Sequence, residues 1–106
     1  MLEWKPEAWK REWTFTSAPY AVFVHTPLCG TCQAAKRMLA VATEVVPEFR
    51  LASANLNEIP ELAQTFKIQS VPCLLIKRKD GNIYKHYRFP SVVELVELLK
   101  NEGEIA

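Results

Sequence analysis

No apolar run in this sequence approaches the roughly 20 residues needed to cross a bilayer, so no membrane segment is expected. An excess of charge of one sign is missing too: 13 Lys and Arg stand against 12 Asp and Glu, a net +1. That balance offers no basic stripe for nucleic acid and no polybasic segment for a membrane surface. The opening stretch MLEWKPEAWKREW is charged throughout, with no apolar core and no small-residue cleavage site. A secretory leader is therefore not expected, and the expected compartment is the cytoplasm. Cysteine is scarce, and three such residues in a reducing compartment do not make a disulfide framework. Internal repeats, low-complexity tracts and linkers are absent as well. Residues 1–106 are read as one domain, large enough for a core without disulfide or metal support.

What is present is an alternation of helical and extended segments. Pro6 can open a helix, because the first turn does not need its missing N–H, and that helix is expected to run to about Trp13. YAVFV, Tyr20 to Val24, is a continuous apolar run of the kind covered on both faces in a parallel sheet. From about Cys29 to Val46, residues Ala35, Met38, Leu39, Ala42 and Val45 form a helical stripe that Pro47 ends. RLASAN, Arg50 to Asn55, is a weaker strand. Asn57 is expected to cap a helix carrying Ile59, Leu62, Ala63 and Phe66 on one face.

CLLIK, Cys73 to Lys77, reads as a second buried strand. KDGN, Lys79 to Asn82, is a hairpin signal, and IYKHYRF returns as an antiparallel strand near an edge. SVVE at Ser91 to Glu94 has the spacing of a capping box for a last helix, with Gly103 just past its end. The pattern is α/β: a central mixed β-sheet, parallel in its first half with right-handed crossovers, and helices on both faces.

The chemistry centres on VFVHTPLCGTC, Val22 to Cys32. Cys29 falls where a buried strand ends and a helix begins. The N–H groups of a helix's first turn point outward and carry partial positive charge. A thiolate there is stabilised, and such thiols fall from about 8.5 to roughly 3.5–7.5 in pKa. Cys32 lies one turn further on, near enough to close a small disulfide ring. A CxxC in this setting is a much stronger signal than the spacing alone.

The chain at this point resembles the thioredoxin family, on CGTC at Cys29–Cys32, SVPC at Ser70–Cys73 and KDGN at Lys79–Asn82. The resemblance covers nearly the whole chain. It implies a thioredoxin-like fold and reversible thiol–disulfide exchange with no metal or organic cofactor. It further implies that Cys29 attacks, Cys32 resolves, and the Val71–Pro72 bond is cis. Protein disulfides are the implied substrates, met by Gly30, Thr31, Val71 and Pro72, with a thioredoxin reductase-like enzyme as reductant and the chain acting as a monomer. The sequence departs from the family at five places. Phe23 stands where thioredoxins usually carry a buried Asp, and Ser53 stands about where they carry a Lys. Leu28 replaces an aromatic residue, Thr31 replaces Pro within the dithiol motif, and Cys73 replaces Thr.

Other readings stay open at the level of sequence. Cys29 and Cys32 could be incidental thiols. With His25 and Cys73 they could hold zinc or an iron–sulfur centre, although no second CxxC exists. The fold could also serve as an interaction or redox-sensing module with little turnover, or as an oxidant or isomerase. His25 shares the side of the strand occupied by Phe23, two residues earlier. It is either an ordinary polar residue at a strand end or a proton partner and tuner of the dithiol. Cys73 is either a small buried hydrophobe or a third redox thiol. Trp9 and Trp13 read as packing, His86 as solvated, and Lys77 to Lys79 as a solvated hairpin tip.

Overall fold

The computed structural model describes residues 1–105 of the chain. From the N-terminus the order is β1 (Leu2–Glu3), α1 (Trp9–Phe15), β2 (Tyr20–His25), α2 (Gly30–Val45), β3 (Arg50–Asn55), α3 (Glu61–Thr65), β4 (Cys73–Lys77), β5 (Ile83–His86) and α4 (Val92–Glu102). The five strands form one sheet in the order β1-β3-β2-β4-β5. β1, β3 and β2 run parallel, and β4 and β5 add antiparallel pairs. Four helices flank this mixed sheet, as a thioredoxin-like fold requires.

β2 is central, and Tyr20 to Val24 are all buried. Because side chains alternate along a strand, this one element feeds two cores. Ala21 and Phe23 join Ala35, Leu39 and Ala42 of α2 and Leu95 and Leu99 of α4 on one face. Tyr20, Val22 and Val24 join Trp9 of α1 and Leu62 of α3 on the other. β4 splits the same way: Leu74 and Ile76 meet the α2 and α4 side, and Cys73 and Leu75 meet the α1 and α3 side.

Several local features differ from the sequence reading. The chain begins with a strand, not a helix. β1 is two residues long and exposed, too short to show any alternation, and only its pairing of Leu2 with Ala52 and Glu3 with Ser53 defines it. α1 begins at Trp9, not Pro6. Residues 6–8 form a turn in which the Lys5 carbonyl accepts from the N–H groups of Ala8 and Trp9, both at 3.0 Å. Asn57 does not cap α3. Asn55 Oδ1 accepts from the Asn57 N–H at 2.9 Å in a turn before the helix, and α3 itself starts after Pro60 with no side-chain cap. β5 ends at His86 and does not continue to Phe89.

The KDGN hairpin is present as a loop from Arg78 to Asn82, with Gly81 at a φ of +90° that a Cβ would disfavour. Its base is not solvated as expected. Lys77 Nζ donates to the carbonyls of Trp13 at 2.6 Å and Thr16 at 3.0 Å, satisfying the C-terminal end of α1. Arg78 forms a two-pronged ion pair with Glu102 of α4. Ser91 caps α4 by accepting from the Glu94 N–H at 3.2 Å.

The N-terminal segment is held by Trp4. Its N–H donates to the Ser53 carbonyl at 2.8 Å, and its indole Nε1 donates to the Tyr20 hydroxyl at 2.8 Å. Its ring stacks on Trp9 at 5.6 Å and meets the edge of Trp13 at 6.1 Å. Trp4→Ala should therefore lower the free energy of unfolding by about 3–5 kcal/mol, the range for truncating a large buried aromatic. Urea unfolding followed by circular dichroism reads this as a lower midpoint. A loss below about 1 kcal/mol would show that the N-terminal strand does not contribute to the core.

Candidate functional site

β2 ends at His25, and the chain turns through Thr26, Pro27 and Leu28 into α2. Cys29 is the residue before the helix, in an extended conformation, and caps it: its Sγ accepts from the Cys32 N–H at 3.1 Å. An N-cap acceptor is usually the oxygen of Ser, Thr, Asp or Asn, and here a sulfur fills that place. The Cys29 and Cys32 sulfurs are within disulfide distance, with Cα atoms 5.1 Å apart. The Thr31 hydroxyl lies 3.3 Å from the Cys29 sulfur.

The two cysteines differ in access. Cys29 is half-buried, whereas Cys32 is only 2% exposed and belongs to the core beneath α2. Leu28, immediately before the pair, is 99% exposed. Gly30 is exposed, and a side chain there would meet nothing within 4 Å. The surface around the accessible sulfur is therefore open.

Val71 and Pro72 approach this corner from the loop before β4. Their peptide bond is cis. Val71 packs against the same core cluster as Cys29. Pro72 and Thr31 line one cleft of about 380 Å³ whose other walls include Ala34, Met38, Tyr87 and Phe89. The Tyr87 hydroxyl accepts from the Gln69 N–H at 3.2 Å, tying the loop to the segment after β5. No functional motif in the sequence singled out Met38, Tyr87 or Phe89; Met38 read only as part of a helical stripe and the other two as part of a strand. They meet only because the hairpin and α2 converge beside the dithiol.

Phe23 is fully buried on the α2 side of β2. It packs edge-on against Phe89 and face-on against His25, with ring centres 5.7 Å apart in each case. His25 lies at the rim of this stack. Its Nε2 is buried and has no hydrogen-bond partner. Together with Thr26, Pro27, Cys32, Gln33 and Lys36, it lines a small cleft of about 170 Å³. Desolvation by burial holds the His25 pKa below its ordinary 6.5, and the Lys36 ammonium pushes it the same way. Glu3, the Thr26 backbone and Glu58 oppose them. Lys36 lies one helical turn past Cys32, a spacing visible in the sequence, but its relation to His25 depends on where α2 crosses the sheet.

Cys73 is free and buried on the opposite face of the sheet from Cys32. Burial raises its pKa from 9.0 to about 11, with the Tyr87 hydroxyl and Lys85 pulling weakly the other way. The set His25, Cys29, Cys32 and Cys73 thus does not converge, because the sheet separates its members. Among the described residues no group of three or more His, Cys, Asp or Glu is placed to hold a metal ion. His86 is half-buried, not solvated, between Tyr84 and Phe89.

Comparison with known proteins agrees with this geometry. The sequence model of the thioredoxin family matches residues 1–101. Thioredoxin-like protein YusE of Bacillus subtilis is 38% identical over 87 residues, covering 82% of each chain. Thioredoxin-like protein YdfQ of the same organism is 26% identical over 88 residues, covering 78% of this chain and 79% of its own. Among solved structures, chloroplastic thioredoxin z superimposes with a TM-score of 0.83 at 18% identity, over 95% of this chain and 92% of its own. A mutant thioredoxin from Halobacterium salinarum gives 0.83 at 16% identity, over 99% and 92%. With a family match along nearly its whole length and a cysteine pair at the head of α2, the chain belongs to the thioredoxin family.

Proposed function

We propose that this protein is a thiol–disulfide oxidoreductase that reduces protein disulfides through Cys29 and Cys32. The observation that carries the reading is the asymmetry of the pair: a partly exposed cysteine at the helix N-terminus beside one only 2% exposed. In the reduced protein, the Cys32 N–H and the partial charge of a 16-residue helix favour a Cys29 thiolate. That thiolate attacks one sulfur of a substrate disulfide. The other substrate sulfur leaves as a thiolate and takes up a proton. Cys32, deprotonated, then attacks the Cys29 sulfur of the mixed disulfide and expels the second substrate thiolate. Two electrons pass from the dithiol to the substrate, and Cys29–Cys32 is left oxidised.

Substrate approaches over Leu28, Gly30 and Thr31, and an extended segment pairs with the Val71 backbone beside Pro72. The cleft walled by Met38, Tyr87 and Phe89 offers an apolar seat for a flanking side chain. Cys73 tunes the site only as packing: a thiol with a pKa near 11 is protonated at neutral pH and does not exchange. In this reading residues 1–106 act as one domain and as a monomer in the cytoplasm. A thioredoxin reductase-like enzyme returns the pair to the dithiol.

Insulin reduction with dithiothreitol, alongside redox titration of the pair, tests the activity. Cys29→Ser should abolish exchange, and Cys32→Ser should accumulate mixed disulfides with substrate. Brief alkylation of the reduced protein, read by mass spectrometry, should label Cys29 before Cys32. Labelling of Cys32 first would reverse the assigned roles.

Cys73 supplies a separate test. Its thiol titrates near 9 when unfolded and near 11 when folded, so the folded state binds more protons between those values. Its contribution to stability is complete below about pH 9 and is lost as pH rises toward 11. Cys73→Ala should flatten that alkaline decline in urea midpoints while leaving insulin reduction within about threefold of wild type. Loss of activity in that variant would make Cys73 a third participant.

A further inference from the structure

The mechanism needs a destination for the proton of Cys32, the buried half of the pair. Three observations converge on one side chain. Ala21, Phe23 and His25 alternate onto the α2 side of β2, the side on which Cys32 is buried. His25 and Cys32 line the same cleft of about 170 Å³. The His25 Nε2 itself is buried without a hydrogen-bond partner. A buried imidazole nitrogen left unpaired costs free energy, and few native groups are left so. Its neighbour Phe23 has no group that can accept a proton.

We infer that His25 is the proton acceptor for Cys32 in the resolving step. The inference rests on the oxidoreductase reading above. His25 and Cys32 share this cleft, and the Cys32 proton passes across it to the imidazole. The Cys32 S–H bond breaks, its proton goes to His25, and its electron pair forms the bond to Cys29. The Cys29–substrate bond breaks and the substrate leaves as a thiolate. The imidazolium then returns its proton to solvent through the cleft mouth. The groups that face His25 are Lys36 of α2, Glu3 of β1 and Glu58 after β3, with the Thr26 backbone beside it. Burial and Lys36 outweigh the two carboxylates, so His25 is an available base at neutral pH and is lost as one in acid, below its ordinary 6.5.

One equivalent of an aromatic disulfide that releases a coloured thiolate separates the steps in a stopped-flow spectrometer. The first thiolate reports attack by Cys29, and the second reports resolution by Cys32. An aromatic thiolate needs no proton to leave, so the second phase isolates the deprotonation of Cys32. In the wild type that phase should hold level from alkaline pH down through neutrality and fall only in acid. His25→Gln should slow it about 100-fold at pH 7, within the range for removing a general base. In that variant the second phase should climb about tenfold per pH unit, and the first phase should change less than about threefold. Lys36→Met should move the acid fall of the second phase to higher pH. An unchanged second phase in His25→Gln, in rate and in pH profile, would overturn the inference and leave the oxidoreductase reading standing. If His25→Gln does not fold, an acid limb in Lys36→Met identical to wild type overturns it instead. A wild-type protein that releases only one thiolate would remove the oxidoreductase reading itself.

Discussion

Strand β2 is the constraint on which the rest of the structure depends. It is paired on both edges, with β3 on one side and β4 on the other, and covered on both faces. A strand so enclosed cannot slip by one residue without exchanging every side chain between two dry cores. Its end is therefore fixed, and with it the point at which α2 begins. Cys29 sits at that point, so the position of the reactive sulfur is set by packing along the whole strand, not by the loop that carries it.

The same alternation sorts the titratable groups. Cys32 and His25 fall on the α2 side, and Cys73 falls on the α1 and α3 side. One sheet thus keeps the third thiol apart from the pair, protonated and enclosed. It also leaves a histidine facing the buried half of the dithiol. A metal centre drawn from these four residues would need ligands from both faces of the sheet. The exposed side of the pair is different in kind: Leu28, Gly30 and Thr31 leave open space, bordered by the apolar cleft under Pro72, Tyr87 and Phe89. In the proposed reading, protons are handled on one side of Cys29–Cys32 and substrate is met on the other.

Long, strongly patterned elements were legible in the sequence. The apolar run from Tyr20, the stripe from Ala35 to Ala42, the CLLIK strand and the capped last helix all stand where their patterning put them. Val45, read onto the same stripe, is exposed because the helix ends there and turns it outward. So does the dithiol, because a CxxC at a strand-to-helix junction depends only on local order. Features held by distant partners were not legible. β1 exists through its pairing with β3, and Lys77 and Arg78 are tied to α1 and α4 across long stretches of chain. Asn57 is held in a turn closed by the Asn55 side chain at the end of β3, and α3 starts only after Pro60.

The sequence by itself determined most element types, the mixed α/β order and the place of Cys29 and Cys32 at a strand-to-helix junction. Each of these follows from the spacing of neighbours along the chain, through helix period, strand alternation and helix-terminus charge. Only the tertiary structure decided which face each strand residue takes and what it meets there. It buried His25 Nε2 beside Cys32 and Lys36, and put Cys73 behind the sheet. It also joined Met38, Tyr87 and Phe89 into a wall beside Pro72. The physical reason is that burial and proton affinity depend on neighbours brought from far along the chain, and those neighbours are chosen by packing the two faces of β2.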